Sequence, residues 1–321
     1  MINMKRIFLI LIIFLFVFSN TVAAKSVVLL AKKVEGDLPA DPNDKMWEDA
    51  NVLEVPLSAQ VMEIPRLYDV TVKSIRIKAL HNSRTIAFKV EWNDDTQDSI
   101  LDVGRFSDSL ALEFPSMKVA EKPIFSMGDA QNSVNIWYWK ANWMNEETAD
   151  SKEYKEIKAE DGSKSYDPSW KTFNYATVDG FNPARQVDNP VSSPRKFPFE
   201  NLVANGFGTA RNMDKTKEQL ITGDGKWETG LWKVVFKREF SAPSEFDVDF
   251  KEGAVTPIAF AVWNGADMNR GGKKHVSTWY YVGVETDTKA AVYIYPLLAF
   301  AFVAAIEYGL INMLAKRRRT L

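Results

Sequence analysis

The chain has 321 residues, with 40 basic against 42 acidic side chains and a formal charge of −2, a balance that offers no electrostatic footing to a nucleic-acid partner. It has no cysteine, which excludes disulfides, cysteine-ligated iron–sulfur clusters, Cys-type zinc sites and covalent C-x-x-C-H haem attachment. Its only histidines are His81 and His275, too few for a multi-histidine metal centre or a bis-histidine haem array.

In chain order, the start Met1-Ile2-Asn3-Met4-Lys5-Arg6 is basic. The uncharged apolar run Ile7 to Phe18 follows, and then the small residues Val22-Ala23-Ala24. These are the three parts of a secretory signal peptide over residues 1–24, and the apolar run is shorter than a membrane span needs. Val70 to Leu80 alternates with period two, His81 to Arg84 is a turn, and Thr85 to Trp92 returns, which predicts a hairpin. Further strands are predicted at Ser109–Phe114 (stopped by Pro115), Val134–Lys140, Gly230–Arg238 and Thr256–Trp263. Strands without intervening helices argue for an all-β, antiparallel β-sandwich over residues 25–289. Without disulfides that domain relies on its core, which 10 Trp residues supply well. The polar stretch 146–195 reads as long loops at one end of the sandwich, where binding sites tend to sit.

The last element is Ala290 to Ala315, 26 residues with one charge, Glu307. As a helix it would reach ~39 Å, enough to cross a ~30 Å hydrocarbon core. Tyr293 and Tyr295 stand at its start and Lys316-Arg317-Arg318-Arg319 at its end. Interfacial aromatics and positive charge on the cytoplasmic side make 290–315 a transmembrane helix and 316–321 a cytoplasmic tail. The two ends agree on a single-pass protein of the cell membrane with its domain on the extracytoplasmic, periplasmic side.

Five segments in order carry a family resemblance: Asp44-Lys45-Met46-Trp47-Glu48-Asp49-Ala50; Ala79-Leu80-His81-Asn82 with Phe88 to Asp94; Phe106 to Pro115; Ser126-Met127-Gly128 with Val134 to Ala141; and Ala259 to Gly265 with Arg270 to Trp279. Together they resemble the haem b-binding subunit of type II molybdenum enzymes of the dimethyl sulfoxide reductase class. Ethylbenzene dehydrogenase names that domain, and selenate reductase, chlorate reductase, dimethyl sulfide dehydrogenase and nitrite oxidoreductase carry related subunits. The C-terminal helix departs from the soluble members and favours a membrane-held complex.

The resemblance implies one non-covalent haem b gripped by a methionine and a lysine, which by position are Met127 and Lys274. Lys273 is the adjacent alternative. His275 is the ligand that chemistry alone would choose, because histidine is the commonest axial residue. A thioether is soft and neutral and tends to raise the potential. A lysine must first lose its proton, at a cost of about 4–5 kcal/mol for an ordinary side chain at pH 7, and burial acts in the direction that helps. Gly271, Gly272 and Gly128 would let backbone approach the haem closely. Arg105, Arg211 and Arg270 are the basic candidates for its propionates. Of Trp137, Tyr138 and Trp139, one alternate set faces core or pocket. His81, at a turn, is expected to be exposed. Apart from these, Met127 reads as core filler and the Lys273–Lys274 pair as a solvated surface.

Nucleophile-elbow, zincin, P-loop and Rossmann motifs are all absent, as expected of a non-catalytic electron-transfer subunit. The resemblance implies a molybdenum catalytic subunit and an iron–sulfur subunit as partners, with a c-type cytochrome or quinone-linked carrier outside. It favours the nitrite oxidoreductase or nitrate reductase type. The alternatives are an extracytoplasmic carbohydrate- or ligand-binding sandwich without haem, whose tryptophans would stack sugars, and an assembly or anchor subunit that has lost its haem.

Overall fold

The computed structural model describes residues 28–100, 104–117, 122–144, 198–213, 219–287 and 291–317. The expected signal peptide and the polar stretch 146–195 lie outside the described residues. The chain divides into two compact units, Met1–Val284 and Glu285–Leu321.

The described part of the first unit is built from strands: β1 (Val28–Lys33), β2 (Val52–Pro56), β3 (Ser58–Ala59), β4 (Ser74–His81), β5 (Thr85–Asn93), β6 (Ser109–Pro115), β7 (Val134–Lys140), β8 (Phe199–Ala204), β9 (Arg211–Asn212), β10 (Thr222–Glu228), β11 (Leu231–Glu239), β12 (Val255–Trp263), β13 (His275–Val276) and β14 (Tyr280–Val284). One layer runs β10-β11-β5-β4, with β2 on the far edge of β4; the other runs β12-β6-β7-β8-β9, with β13 and β3 beyond β12. These pairings are antiparallel, as the alternation predicts. The exception is β1, which lies parallel to β14 through Val28–Ala31 and then parallel to β4 through Lys32 and Lys33. It thereby leaves one layer and enters the other, a strand that switches sheets at a sandwich corner.

Alternation decides which side chains meet between the layers. On β6 and β7, Leu110, Leu112, Phe114, Trp137 and Trp139 point inward and are fully buried. They meet β5 and β11: Phe88 lies 5.8 Å from Phe114, and Trp139 lies 6.2 Å from Trp92 and 5.0 Å from Trp232, ring centre to ring centre. Each such aromatic pair adds ~0.5–1.5 kcal/mol beyond the area it buries. The same core holds one buried ion pair, Arg238 to Asp247 at 3.1 Å, with the guanidinium 4.8 Å above the Trp137 ring. Asn201 Nδ2 donates to Asp247 at 2.7 Å, and Arg238 also donates to the Val248 carbonyl.

The expected β4–β5 hairpin is present, with His81 opposite Ile86 and Asn82 Oδ1 accepting the Arg84 and Thr85 N–H groups. His81 itself corrects the sequence reading: it is fully buried rather than exposed. Its Nδ1 accepts the Ser83 N–H and its ring lies 5.6 Å from Phe240, because β4 continues through it before the chain turns.

In the second unit the expected C-terminal helix is present as α1 (Ala291–Arg317), 27 residues with Pro296 inside. Leu297, Phe300 and Phe302 on it are exposed. Among the described residues no helix is long and apolar enough to cross a membrane. The side chains of Leu310, Ile311 and Leu314 fall outside that described set. The fold therefore bears out the helix and leaves its transmembrane character unsupported.

Candidate functional site

The middle residues of β6 and β7 that alternate with the core-facing ones face a cavity. Ala111, Glu113, Ile136 and Tyr138 form its floor, joined by Ala261 and Trp263 of β12 and by Lys274 and Val276. Segments 60–65, 125–127, 207–210 and 271–272 wall it. Its volume is about 820 Å3, at the upper end of the ~300–1,000 Å3 of cofactor pockets. The stretch 146–195 lies outside the described residues, and the described cavity is walled by shorter loops over the outer face of the second layer.

Met127 and Lys274, far apart in the chain, both line this cavity. Met127 sits in the loop after Ile124 with φ +70, a left-handed conformation that a side chain seldom adopts. Its N–H donates to Glu113 Oε2 at 3.3 Å, and its carbonyl accepts the Gly206 N–H at 2.7 Å. Gly128 follows at φ +74, where a Cβ would come 2.6 Å from the Asn132 carbonyl, so this turn requires glycine.

Lys274 is only 7% exposed, and its Nζ lies 5.0 Å from the centre of the Trp263 ring. Burial pushes its ammonium down, opposed by the charge of Glu113. Burial likewise pushes the Glu113 carboxyl up, to about 8, opposed by Lys274 and by the Met127 amide. Both effects favour the pair in its neutral form, which leaves a lone pair on the lysine nitrogen. Glu113 Oε1 is buried and has no hydrogen-bond partner.

The two alternatives for Lys274 lie elsewhere. Lys273 turns away, and its Nζ donates to the Asp267 carbonyl at 2.7 Å. His275 is on the opposite face of β13 from Lys274 and Val276 and is outside the cavity lining. Its Nε2 accepts the N–H groups of Thr71 and Val72 at 3.1 and 3.2 Å. Nδ1 lies 3.3 Å from the Val262 carbonyl, which assigns the ring proton to Nδ1. Both nitrogens are thus occupied, and burial pushes the ring pKa down.

Of the other expectations, Tyr138 faces the cavity while Trp137 and Trp139 enter the core. Arg105, Arg211 and Arg270 are exposed and do not line the cavity. Arg211 and Arg270 lie over the Phe246 and Phe106 rings. Gly272 lacks a side chain for a different reason than close approach to a ligand: a Cβ there would meet the Pro65 carbonyl at 3.0 Å and Gln60 Nε2 at 3.1 Å. Gln60 is the clamp on this side. Its Nε2 donates to the Gly272 and Glu63 carbonyls, and its N–H donates to the Lys274 carbonyl. Sequence reasoning passed over Glu113 and Gln60. For Glu113 a signal existed, a carboxylate in phase with Ala111 on a strand whose other face is wholly apolar.

The donor set suits an iron porphyrin. A neutral thioether and a buried amine driven toward neutrality line one largely apolar chamber, with an orphaned acceptor beside them. Among the described residues no group of three or more His, Cys, Asp or Glu could hold a metal ion on its own.

Comparison with known proteins places the chain among haem-subunit and gamma-subunit relatives. The ethylbenzene dehydrogenase family model matches residues 44–275. A putative respiratory nitrate reductase heme subunit of Haloferax mediterranei is 24% identical over 283 residues, covering 88% of this chain and 82% of that protein. The chlorate reductase gamma subunit of Ideonella dechloratans is 25% identical, covering 78% of this chain and 81% of its own. The dimethylsulfide dehydrogenase gamma subunit of Rhodovulum sulfidophilum is 24% identical, covering 79% and 78%. Among solved structures, a family 9 carbohydrate-binding module from Caldicellulosiruptor kristjanssonii aligns over 81% of this chain and 97% of its own at 7% identity and a TM-score of 0.38, a likeness too remote to say anything of a ligand.

Proposed function

The chain belongs to the ethylbenzene dehydrogenase family, and on that premise we propose that it is the haem b electron-transfer subunit of a molybdenum oxidoreductase complex. The observation that carries the reading is the convergence of Met127 and buried Lys274 on one cavity. Met127 would hold the haem iron by its thioether and Lys274 by its amine. A haem b held there would supply a one-electron carrier. Trp263 and Tyr138 would line its pocket, beside the segment that Gln60 ties to Gly272.

The partners are a molybdenum catalytic subunit and an iron–sulfur subunit, with a c-type cytochrome or quinone-linked carrier at the other end of the relay. The heme subunit from Haloferax supports a nitrogen-oxyanion substrate for the complex. The domain is extracytoplasmic, exported by the signal peptide of residues 1–24, and residues 290–315 anchor it. The anchor is supported by the single charge in that run and the basic residues after it.

The test is spectroscopic. Purified chain supplied with haem should develop a Soret band that sharpens on reduction. Met127→Ala and Lys274→Met should each change the axial-ligand signature of the oxidised haem and weaken its retention by at least roughly tenfold, one ligand's worth of ~1.4 kcal/mol or more. A chain that stays colourless after full haem supply ends this reading.

A further inference from the structure

A lysine that ligates iron as a neutral amine gives its lone pair to the metal and keeps two N–H donors. In an apolar chamber those donors need an acceptor, and leaving one unmet costs ~1–3 kcal/mol. Glu113 is the buried carboxylate of this cavity, 8% exposed, on β6 between Ile136 of β7 and Ala259 of β12. Its Oε2 already holds the Met127 N–H, while its Oε1 is buried without a partner, in the cavity that Lys274 also lines. The other carboxylate on the cavity wall, Glu63, is exposed and engaged by the Ile64 N–H.

We propose that Glu113 is the positioning residue of the site, tying both axial ligands at once. Oε2 accepts the Met127 N–H and so holds the left-handed turn that carries this cavity-lining residue. Oε1 accepts an N–H of the Lys274 amine once that nitrogen is on the iron. This rests on the haem reading above and adds a residue to it. Outer partners of this kind set ligand orientation and commonly govern affinity about as strongly as ~10–100-fold. They do so here from a strand rather than a loop, which fixes the carboxylate relative to both ligands.

The experiment compares full-length wild type, Glu113→Gln and Glu113→Leu, with Met127→Ala and Lys274→Met as references. The readouts are the axial-ligand signature of the oxidised haem, by near-infrared magnetic circular dichroism, and the rate of haem release to a scavenging apoprotein. Glu113→Gln is nearly isosteric and preserves the fold. Its amide oxygen can still take the Met127 N–H, but its NH2 cannot accept from lysine. It should keep the methionine signature and release haem roughly tenfold faster, the equivalent of one lost hydrogen bond. Glu113→Leu removes both arms and should resemble Met127→Ala as well as Lys274→Met. If both Glu113 variants match wild type in signature and release rate while the two ligand variants differ, the positioning role is overturned and the haem reading stands. If wild type takes up no haem, or the ligand variants match it, the haem reading falls and the proposal falls with it.

Discussion

Asp108 offers the sharpest physical test of the sandwich itself. It opens the β6 segment, is fully buried, and accepts three N–H groups: Gly265 at 2.8 Å on Oδ1, and Asp98 at 2.7 Å and Trp232 Nε1 at 2.9 Å on Oδ2. Those donors favour the carboxylate. Burial, and after it the charge of Asp94, oppose them and push the acid from its ordinary 3.8 up to about 7. The folded protein then holds this proton where the unfolded chain has released it, so between pH 4 and 7 the native state binds one proton more. Stability contributed by the protonated acid is whole below pH 4 and is lost as pH rises through 7. At ~1.36 kcal/mol per pH unit the loss over that interval is on the order of 4 kcal/mol. Asn in place of Asp108 cannot ionise, but its NH2 cannot accept, so at least one of the three N–H groups is left unmet at a pH-independent cost of ~1–3 kcal/mol. Urea unfolding of wild type and Asp108→Asn at half-unit steps from pH 4 to 8 should therefore find the variant the less stable at pH 4 by that amount. The gap should close as pH rises, and the variant should be the more stable by pH 8. Parallel curves, or a wild type that gains on the variant as pH rises, would mean that the three N–H donors outweigh burial and that the reasoning is wrong.

Two further outcomes follow from side chains whose partners are known. His275→Gln places an acceptor near the Thr71 and Val72 N–H groups and should cost at most ~2 kcal/mol in urea unfolding, with the axial-ligand spectrum of the haem-loaded chain unchanged; a changed spectrum would restore His275 as a ligand. Arg238→Met removes the counter-ion of Asp247, whose carboxylate keeps the Asn201 hydrogen bond, and should cost ~3–5 kcal/mol, much of it recovered by adding Asp247→Asn; a loss below ~1 kcal/mol in the single variant would show that the ion pair contributes little to stability.

The elements that the sequence made legible are those whose two faces differ. Val134–Lys140 has the predicted bounds because Trp137 and Trp139 alternate with residues of another character, and the β4–β5 hairpin is present because Asn82 and Ser83 supply its turn chemistry, although β4 begins at Ser74 rather than Val70 and runs on through His81. Strands β1, β2, β3, β8, β9, β10, β13 and β14 are not among those the sequence predicts. In β10 the run Thr222-Gly223-Asp224-Gly225 looks like a loop, yet its glycines are where other parts press on the strand. A Cβ on Gly225 would lie 2.7 Å from Trp139, and one on Gly223 would lie 1.8 Å from the Val235 carbonyl. The parallel course of β1 is set by a partner nearly the whole chain away, which no local pattern encodes.

The site divides along the same line. Residue type and order suggested Met127 and Lys274, but whether they share a chamber is a question of which face of β13 and which side of the 124–128 loop each occupies. For Lys274 against His275 the answer is one residue of strand phase. A two-residue strand is too short to show that phase in sequence, and the pairing of His275 with Ala59 and Val262 settles it. The chemistry then follows from placement. The ring that enters the core finds three backbone groups and is spent on them. The amine that enters the cavity meets an aromatic ring and the charge of a carboxylate, and burial drives it toward the one protonation state in which it can bind a metal.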